Sequence, residues 1–221
     1  MSNRLPEWMA RDLSLPRLRR YIRAAHGDAR TAERLYWWNV EASAALVGPL
    51  HCLELALRNA LHSALVRHHG RPDWWEAAPL NERGRRLVDS ARRSCGRRLR
   101  RTTPNDVVAE LTLGFWVSLL SHASGYDRHF WVPALNSAFP HYSGRRDSLY
   151  DDLTSLVLLR NRVMHHEPVH HRHLAADHDT LYRVLGYLSP EFAKEAQAMD
   201  RFPDVLADRA AVLGGTRPPR F

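Results

Sequence analysis

The stretch Thr31–His69, TAERLYWWNVEASAALVGPLHCLELALRNALHSALVRHH, decides the fold class. Its apolar residues recur three and four apart: Leu35, Trp38, Ala42, Ala45 and Leu46, then Leu50, Leu53, Leu57, Leu61 and Leu65. That period is the stripe of a helix with one buried face, and no strand-like alternation competes with it. Gly48-Pro49 is expected to kink the run or to break it into two helices, because proline donates no N–H and crowds the preceding turn. Gly70 supplies a C-terminal stop.

The same reading extends outward. Asn81–Arg101 is expected to be one helix. Thr103-Pro104, an N-cap hydroxyl followed by proline, should open another that runs to about Ser124. Asp127–Phe139 has helical spacing. Arg145 to about His166, Ala175–Leu188 and Pro190–Met199 complete the set. Pro168 bars the helix before it from continuing. The expectation is an all-α fold of about seven to nine helices, in a single domain over residues 1–205. Residues 206–221 form a tail that should fray from Gly214 onward.

Composition narrows the classes. The chain has 221 residues, 44% hydrophobic and 25% charged, which excludes wholesale disorder. Two distant cysteines, Cys52 and Cys95, exclude a disulfide scaffold and a CxxC knuckle. No unbroken apolar run approaches the roughly 18 residues of a membrane span, and the charged N-terminus lacks a signal core. A cytoplasmic protein with no membrane association is therefore expected. The net charge is +8, and Lys194 is the one lysine among 32 basic residues. A GC-rich genome would give the same bias. Arginine nevertheless forks onto phosphate as lysine cannot, so a polyanionic partner is the functional alternative.

The chemistry concentrates in Leu158-Leu-Arg160-Asn161-Arg162-Val-Met-His165-His166-Glu167-Pro168. Asn161 and His165 share a helix face. Arg160 and His165 diverge by about 140° at about 100° per residue. They converge only if the helix end unwinds or if a second copy of the helix faces the first. Two arginines and two imidazoles around one cleft suffice to cleave RNA without metal. One imidazole takes the 2′-OH proton, another protonates the leaving 5′-oxygen, and arginine stabilises the phosphorane charge.

Arg160-Asn161-x3-His165 resembles the R-x4-6-H motif of the HEPN superfamily. The longer string through Pro168 is similar to the signature of its Abi-like, abortive-infection branch. Leu35-Tyr-Trp-Trp-Asn39 with Glu41, Leu53-Glu54-Leu-Ala-Leu-Arg58-Asn59-Ala60, and Glu110-Leu-Thr-Leu-Gly114-Phe-Trp116 resemble further segments of that branch. Together they cover about residues 31 to 190 in the family's order. The resemblance implies a HEPN-like helical bundle with additional helices, a homodimer, and a metal-independent endoribonuclease site at the dimer interface, used in antiphage defence. It implies Arg160 and His165 as catalytic, with Asn161 and His166 supporting, and needs no cofactor. Some relatives work with an antitoxin or a small non-coding RNA. Others are non-catalytic RNA-binding or scaffold proteins, which is the alternative function.

Other groups keep two readings. Glu54, Arg58 and Asn59 are either an internal polar pair or a support that orients the site. Arg162 is surface or a phosphate contact. Arg83–Arg101 is a solvated helix or an RNA-facing stripe, with Arg93, Arg97, Arg100 and Arg101 as candidate contacts. Six histidines between His165 and His178 could capture a metal, but no HExxH accompanies them, and no dedicated metal site is expected. Trp38, Trp116 and Trp131 should be core, whereas Trp37, Trp74 and Trp75 could be exposed anchors.

Overall fold

The computed structural model describes residues 4–221, and among these every regular element is helical. The α-helices are α1 Glu7–Leu13, α2 Leu15–Ala24, α3 Ala29–His69, α4 Glu82–Arg98, α5 Pro104–Glu110, α6 Leu113–Ser118, α7 Arg146–Met164, α8 Leu174–Leu188, α9 Pro190–Ala198, α10 Phe202–Ala207 and α11 Arg209–Gly214. They outnumber the seven to nine expected. The surplus lies in helices at both ends and in the division of the one expected over Thr103–Ser124.

Three expected elements differ. α3 runs unbroken through Pro49. Interior proline costs about 3 kcal/mol, and burial of Leu46, Leu50, Leu53 and Leu57 on the same helix offsets it. The helix expected over Thr103–Ser124 is two. Thr103 forms a capping box with Asp106, and Thr112 caps a new start by accepting from the Phe115 N–H. Asp127–Phe139 is a π turn over Asp127–Trp131 and a 3-10 turn over Leu135–Ala138.

The chain divides into two compact units. The first holds the residues up to Leu50, with Leu159–Asp179 and Gln197–Phe221. Its core includes Met9, Leu18, Trp38, Leu46, Phe202 and Val212. The Trp38 indole donates to the Val205 carbonyl at 3.0 Å, and the Arg209 guanidinium lies 4.8 Å from its ring centre. The second unit holds His51–Leu158 and Thr180–Ala196. There Trp74 sits among Phe115, Trp116 and Phe130, with ring centres 6.1 to 6.5 Å apart. Trp74 and Trp75 are buried, so neither is an exposed anchor; Trp37 and Trp131 are half-buried.

One 18-residue window of α3 reaches mean hydropathy 1.3, so by length and composition alone this helix could cross a membrane, although no unbroken apolar run of that length occurs in it. The measure tolerates scattered charges that interrupt an apolar run. The buried stripe from Leu35 to Leu65 is what a core helix also presents.

Glu41, on α3 in the first unit, is 1% exposed. An isolated buried carboxylate is expensive, and Arg217 answers it with two contacts of 2.9 and 3.1 Å. Arg217 also reaches Asp208 at 2.8 Å. Phe221 stacks on Trp37 at 5.9 Å. The segment after Gly214 leaves the helix, but these contacts hold it, and it does not fray as expected. Replacing Arg217 alone by Met should lower the urea midpoint of unfolding, because it leaves the buried Glu41 without its guanidinium partner. The double change Glu41→Leu/Arg217→Met should recover most of that loss. A double variant as unstable as the single one would contradict this account.

Candidate functional site

The site is the C-terminal end of α7, in the first unit. The helix stays regular to its last residues: the His165 N–H donates to the Asn161 carbonyl at 2.9 Å. The chain then closes on itself. The His166 N–H reaches the Val163 carbonyl at 3.1 Å and the Glu167 N–H reaches the Arg162 carbonyl at 2.8 Å. This is a Schellman closure, which normally places glycine where His166 stands. His166 is left-handed there, with φ 55°, at a cost of the order of 1 kcal/mol for a residue with a Cβ. Where such closures usually carry an apolar contact, Arg162 pairs with Glu167 at 3.2 Å.

Two helices hold this turn. From α2, the Arg17 guanidinium donates to the His166 carbonyl at 2.6 Å. From α3, the buried Asn39 accepts on Oδ1 from the Val169 N–H at 2.8 Å and the His170 N–H at 3.0 Å. Neither anchor has a sequence signal in the motif itself, which lies more than a hundred residues away. Asn39 does stand in the quoted Leu35–Asn39 segment, though nothing there announces its task.

The regular helix fixes the directions of the side chains. Arg160 and His165 leave α7 about 140° apart, and Asn161 lies under His165. Arg160 is half-buried, while Asn161, His165 and His166 are exposed. The helix therefore does not unwind to bring Arg160 and His165 together within one chain. Exposed Asn161, His165 and His166 can all reach a ligand from solvent.

The surroundings are strongly basic. Arg17, Arg20 and His166–Pro168 border a hollow of about 280 Å³. Arg17 and Arg20 make no ion pair among the described residues, so both charges are available to an anion. Burial first, and then Arg162, Arg172 and Arg20, hold His171 below the ordinary imidazole value. His170 is pushed down to about 4 by burial, then by His171 and Arg209. On the other side of His166 runs an apolar groove of about 390 Å³ walled by Val40, Ala44, Val47, Val163 and Met164. Val47 and Met164 are exposed there.

Of the sequence candidates, Arg160, Asn161, Arg162, His165 and His166 share this end of α7. Glu54, Arg58 and Asn59 belong to the second unit, where Arg58 Nε reaches Asn59 Oδ1 at 3.4 Å. Arg93, Arg97, Arg100 and Arg101 are exposed in that same unit. Arg17, Arg20 and Asn39 are the members that sequence reasoning missed. Among the described residues no three His, Cys, Asp or Glu side chains are grouped as a metal ion requires. His178 instead meets the buried Asp200 at 2.6 Å. Compared with protein-family models, with curated proteins and with solved structures, the chain matches none.

Two outcomes follow from this anchoring. Asn39→Ala leaves two buried N–H groups without an acceptor and should cost about 3 kcal/mol in urea unfolding. His170 has a folded value near 4 against 6.5, so it resists a proton that the unfolded chain accepts. The stability it contributes is present above pH 6.5 and is lost as pH falls toward 4. Unfolding free energy should drop between pH 7 and 4.5 by an amount of the order of 1–2 kcal/mol, after discounting for screening. His170→Phe should at least halve that drop; an undiminished drop would contradict the assignment.

Proposed function

We propose that the chain is a metal-independent endoribonuclease of the HEPN, Abi-like kind, acting as a homodimer in abortive-infection antiphage defence. The observation that carries the reading is the end of α7. Arg160 and Asn161 lie in its last two turns, and exposed His165 and His166 stand at its strained close, beside Arg17 and Arg20. Positive-φ strain at a non-glycine residue is typical of functional turns.

The divergence of Arg160 and His165 supports a site completed by a second copy. The apolar groove beside His166, with Val47 and Met164 exposed, is the kind of surface that such a copy would cover. In the assembled cleft one imidazole removes the proton from a ribose 2′-OH. The freed oxygen attacks the adjacent phosphorus, and the bond to the 5′-oxygen breaks. A second, protonated imidazole gives that oxygen its proton, leaving a 2′,3′-cyclic phosphate and a 5′-hydroxyl. Arg160 balances the extra negative charge of the phosphorane. Deoxyribose lacks the attacking hydroxyl, so DNA is spared.

Cleavage of total RNA in chelator is the test. Arg160→Ala and His165→Ala should each lower the rate about 10²- to 10⁴-fold with RNA affinity retained; His166→Ala should lower it less. Cleavage that persists in both variants, or never occurs in the wild type, overturns the nuclease reading. It would leave the RNA-binding or scaffold alternative. Loss of cleavage in chelator would overturn the metal-independent mechanism.

A further inference from the structure

α4, in the second unit, carries seven arginines against two acids, Glu82 and Asp89. Its apolar side, Val88, Ala91 and Cys95, is buried, which turns the arginines outward. Three of the seven are spoken for. Arg86 pairs with Glu82 at 2.7 Å, and Arg92 and Arg98 pair with Glu76 and Glu110. Arg83, Arg85, Arg93 and Arg97, together with Arg100 and Arg101 just past the helix, make no ion pair among the described residues and are exposed.

Their arrangement is directional. At about 100° and 1.5 Å per residue, Arg86, Arg93 and Arg97 fall within about 40° of one another. Arg83 lies on the same side, so the row is about 21 Å long. Both acids of the helix, Glu82 and Asp89, lie on the same side, and Glu82 is already paired with Arg86; against them that side carries Arg83, Arg93 and Arg97 without an ion pair among the described residues. The unpaired Arg83, Arg93 and Arg97 of this row, with Arg100 and Arg101 just past the helix, repel one another until a polyanion or counterions arrive. A hollow of about 260 Å³ follows the flank of the row, between Leu87, Ser90, Arg97, Thr112 and Phe115, with Glu110, held by Arg98 and Ser94, as its one carboxylate. Ser90 and Arg97 belong to both the row and the hollow. A duplex keeps its bases stacked inside and has nothing to put there, whereas a single strand can splay one base into it.

We infer that the exposed arginine row of α4 is a binding surface for single-stranded RNA: the arginines track its phosphates and the hollow beside Ser90 receives an unstacked base. The inference rests on the RNA reading above for its choice of polyanion, but not on Arg160 or His165. It also revises the sequence reading of this stretch, because Arg92 and Arg98 are committed to structural acids whereas Arg83 and Arg85 join the free set.

The test measures binding of a single-stranded RNA to the full chain carrying His165→Ala, as a function of salt. The combination Arg93→Gln, Arg97→Gln, Arg100→Gln and Arg101→Gln should weaken affinity at least tenfold. It should also lower the slope of log affinity against log salt by about 3, at about 0.7 per lost phosphate contact. Ser90→Trp, which fills the hollow, should erase the preference for single strand over duplex of the same sequence. An unchanged slope and affinity overturn the surface. Equal binding of duplex in the unmodified surface overturns the single-strand assignment, and equal binding of polyglutamate overturns RNA as its occupant. With His165 intact, the four-Gln variant should still cut a dinucleotide, which needs no long surface. Loss of the salt slope without any dinucleotide cleavage by wild type would uphold this inference and sink the nuclease.

Discussion

One buried acceptor does much to determine the shape of the candidate site. Oδ1 of Asn39 takes two backbone N–H bonds, from Val169 and His170, on the chain segment that follows α7. Those N–H groups lie past the end of α7, at a point where Pro168 forbids more helix, and they are buried away from water. Without an acceptor they would each carry the full penalty of an unmade bond. Satisfying them fixes where the chain goes after His166. Together with the Arg17 guanidinium on the His166 carbonyl, it holds that residue in a backbone state that histidine would not choose by itself.

The same helix that supplies Asn39 supplies Glu41, and both are buried polar groups on an otherwise apolar stripe. Each is answered from far along the chain: Asn39 by the turn after α7, Glu41 by Arg217 near the C-terminus. Low dielectric makes such groups costly when unpaired and specific when paired. α3 therefore selects one arrangement of two distant segments, as leucines alone would not. The ends of the first unit are tied to its centre by polar chemistry, and its core supplies the bulk of the burial.

The chemical character of the site follows from helix regularity. α7 keeps its hydrogen bonds to the residue before its closing turn, so the directions of Arg160 and His165 are set by helical geometry and not by a local distortion. Strain is confined to His166. The neighbouring arginines raise the positive potential where two exposed imidazoles sit, and burial keeps His170 neutral at ordinary pH, so it adds no charge to the cluster. Anions are drawn to such a place, where two imidazoles face solvent beside Arg17 and Arg20.

The sequence by itself determined the helical class, the end of α7, the N-cap at Thr103 and the clustering of Arg160, Asn161, His165 and His166. All of these rest on local rules: a 3.6-residue period, a capping hydroxyl, a proline that cannot continue a helix. Of the kink and the break it allowed at Pro49, the helix shows no break, because burial along 41 residues outweighs a local cost, and it misjudged Trp74, where an aromatic cluster absorbs what looked like a loop. Only the tertiary structure decided that Arg17 and Asn39 hold the motif, that Arg217 returns to Glu41, and which arginines of α4 are already paired. Apart from the Arg86–Glu82 pair within α4, those partners lie from 12 to 176 residues apart. A periodic pattern reports which face of an element is buried, but not which distant donor or charge will meet it there.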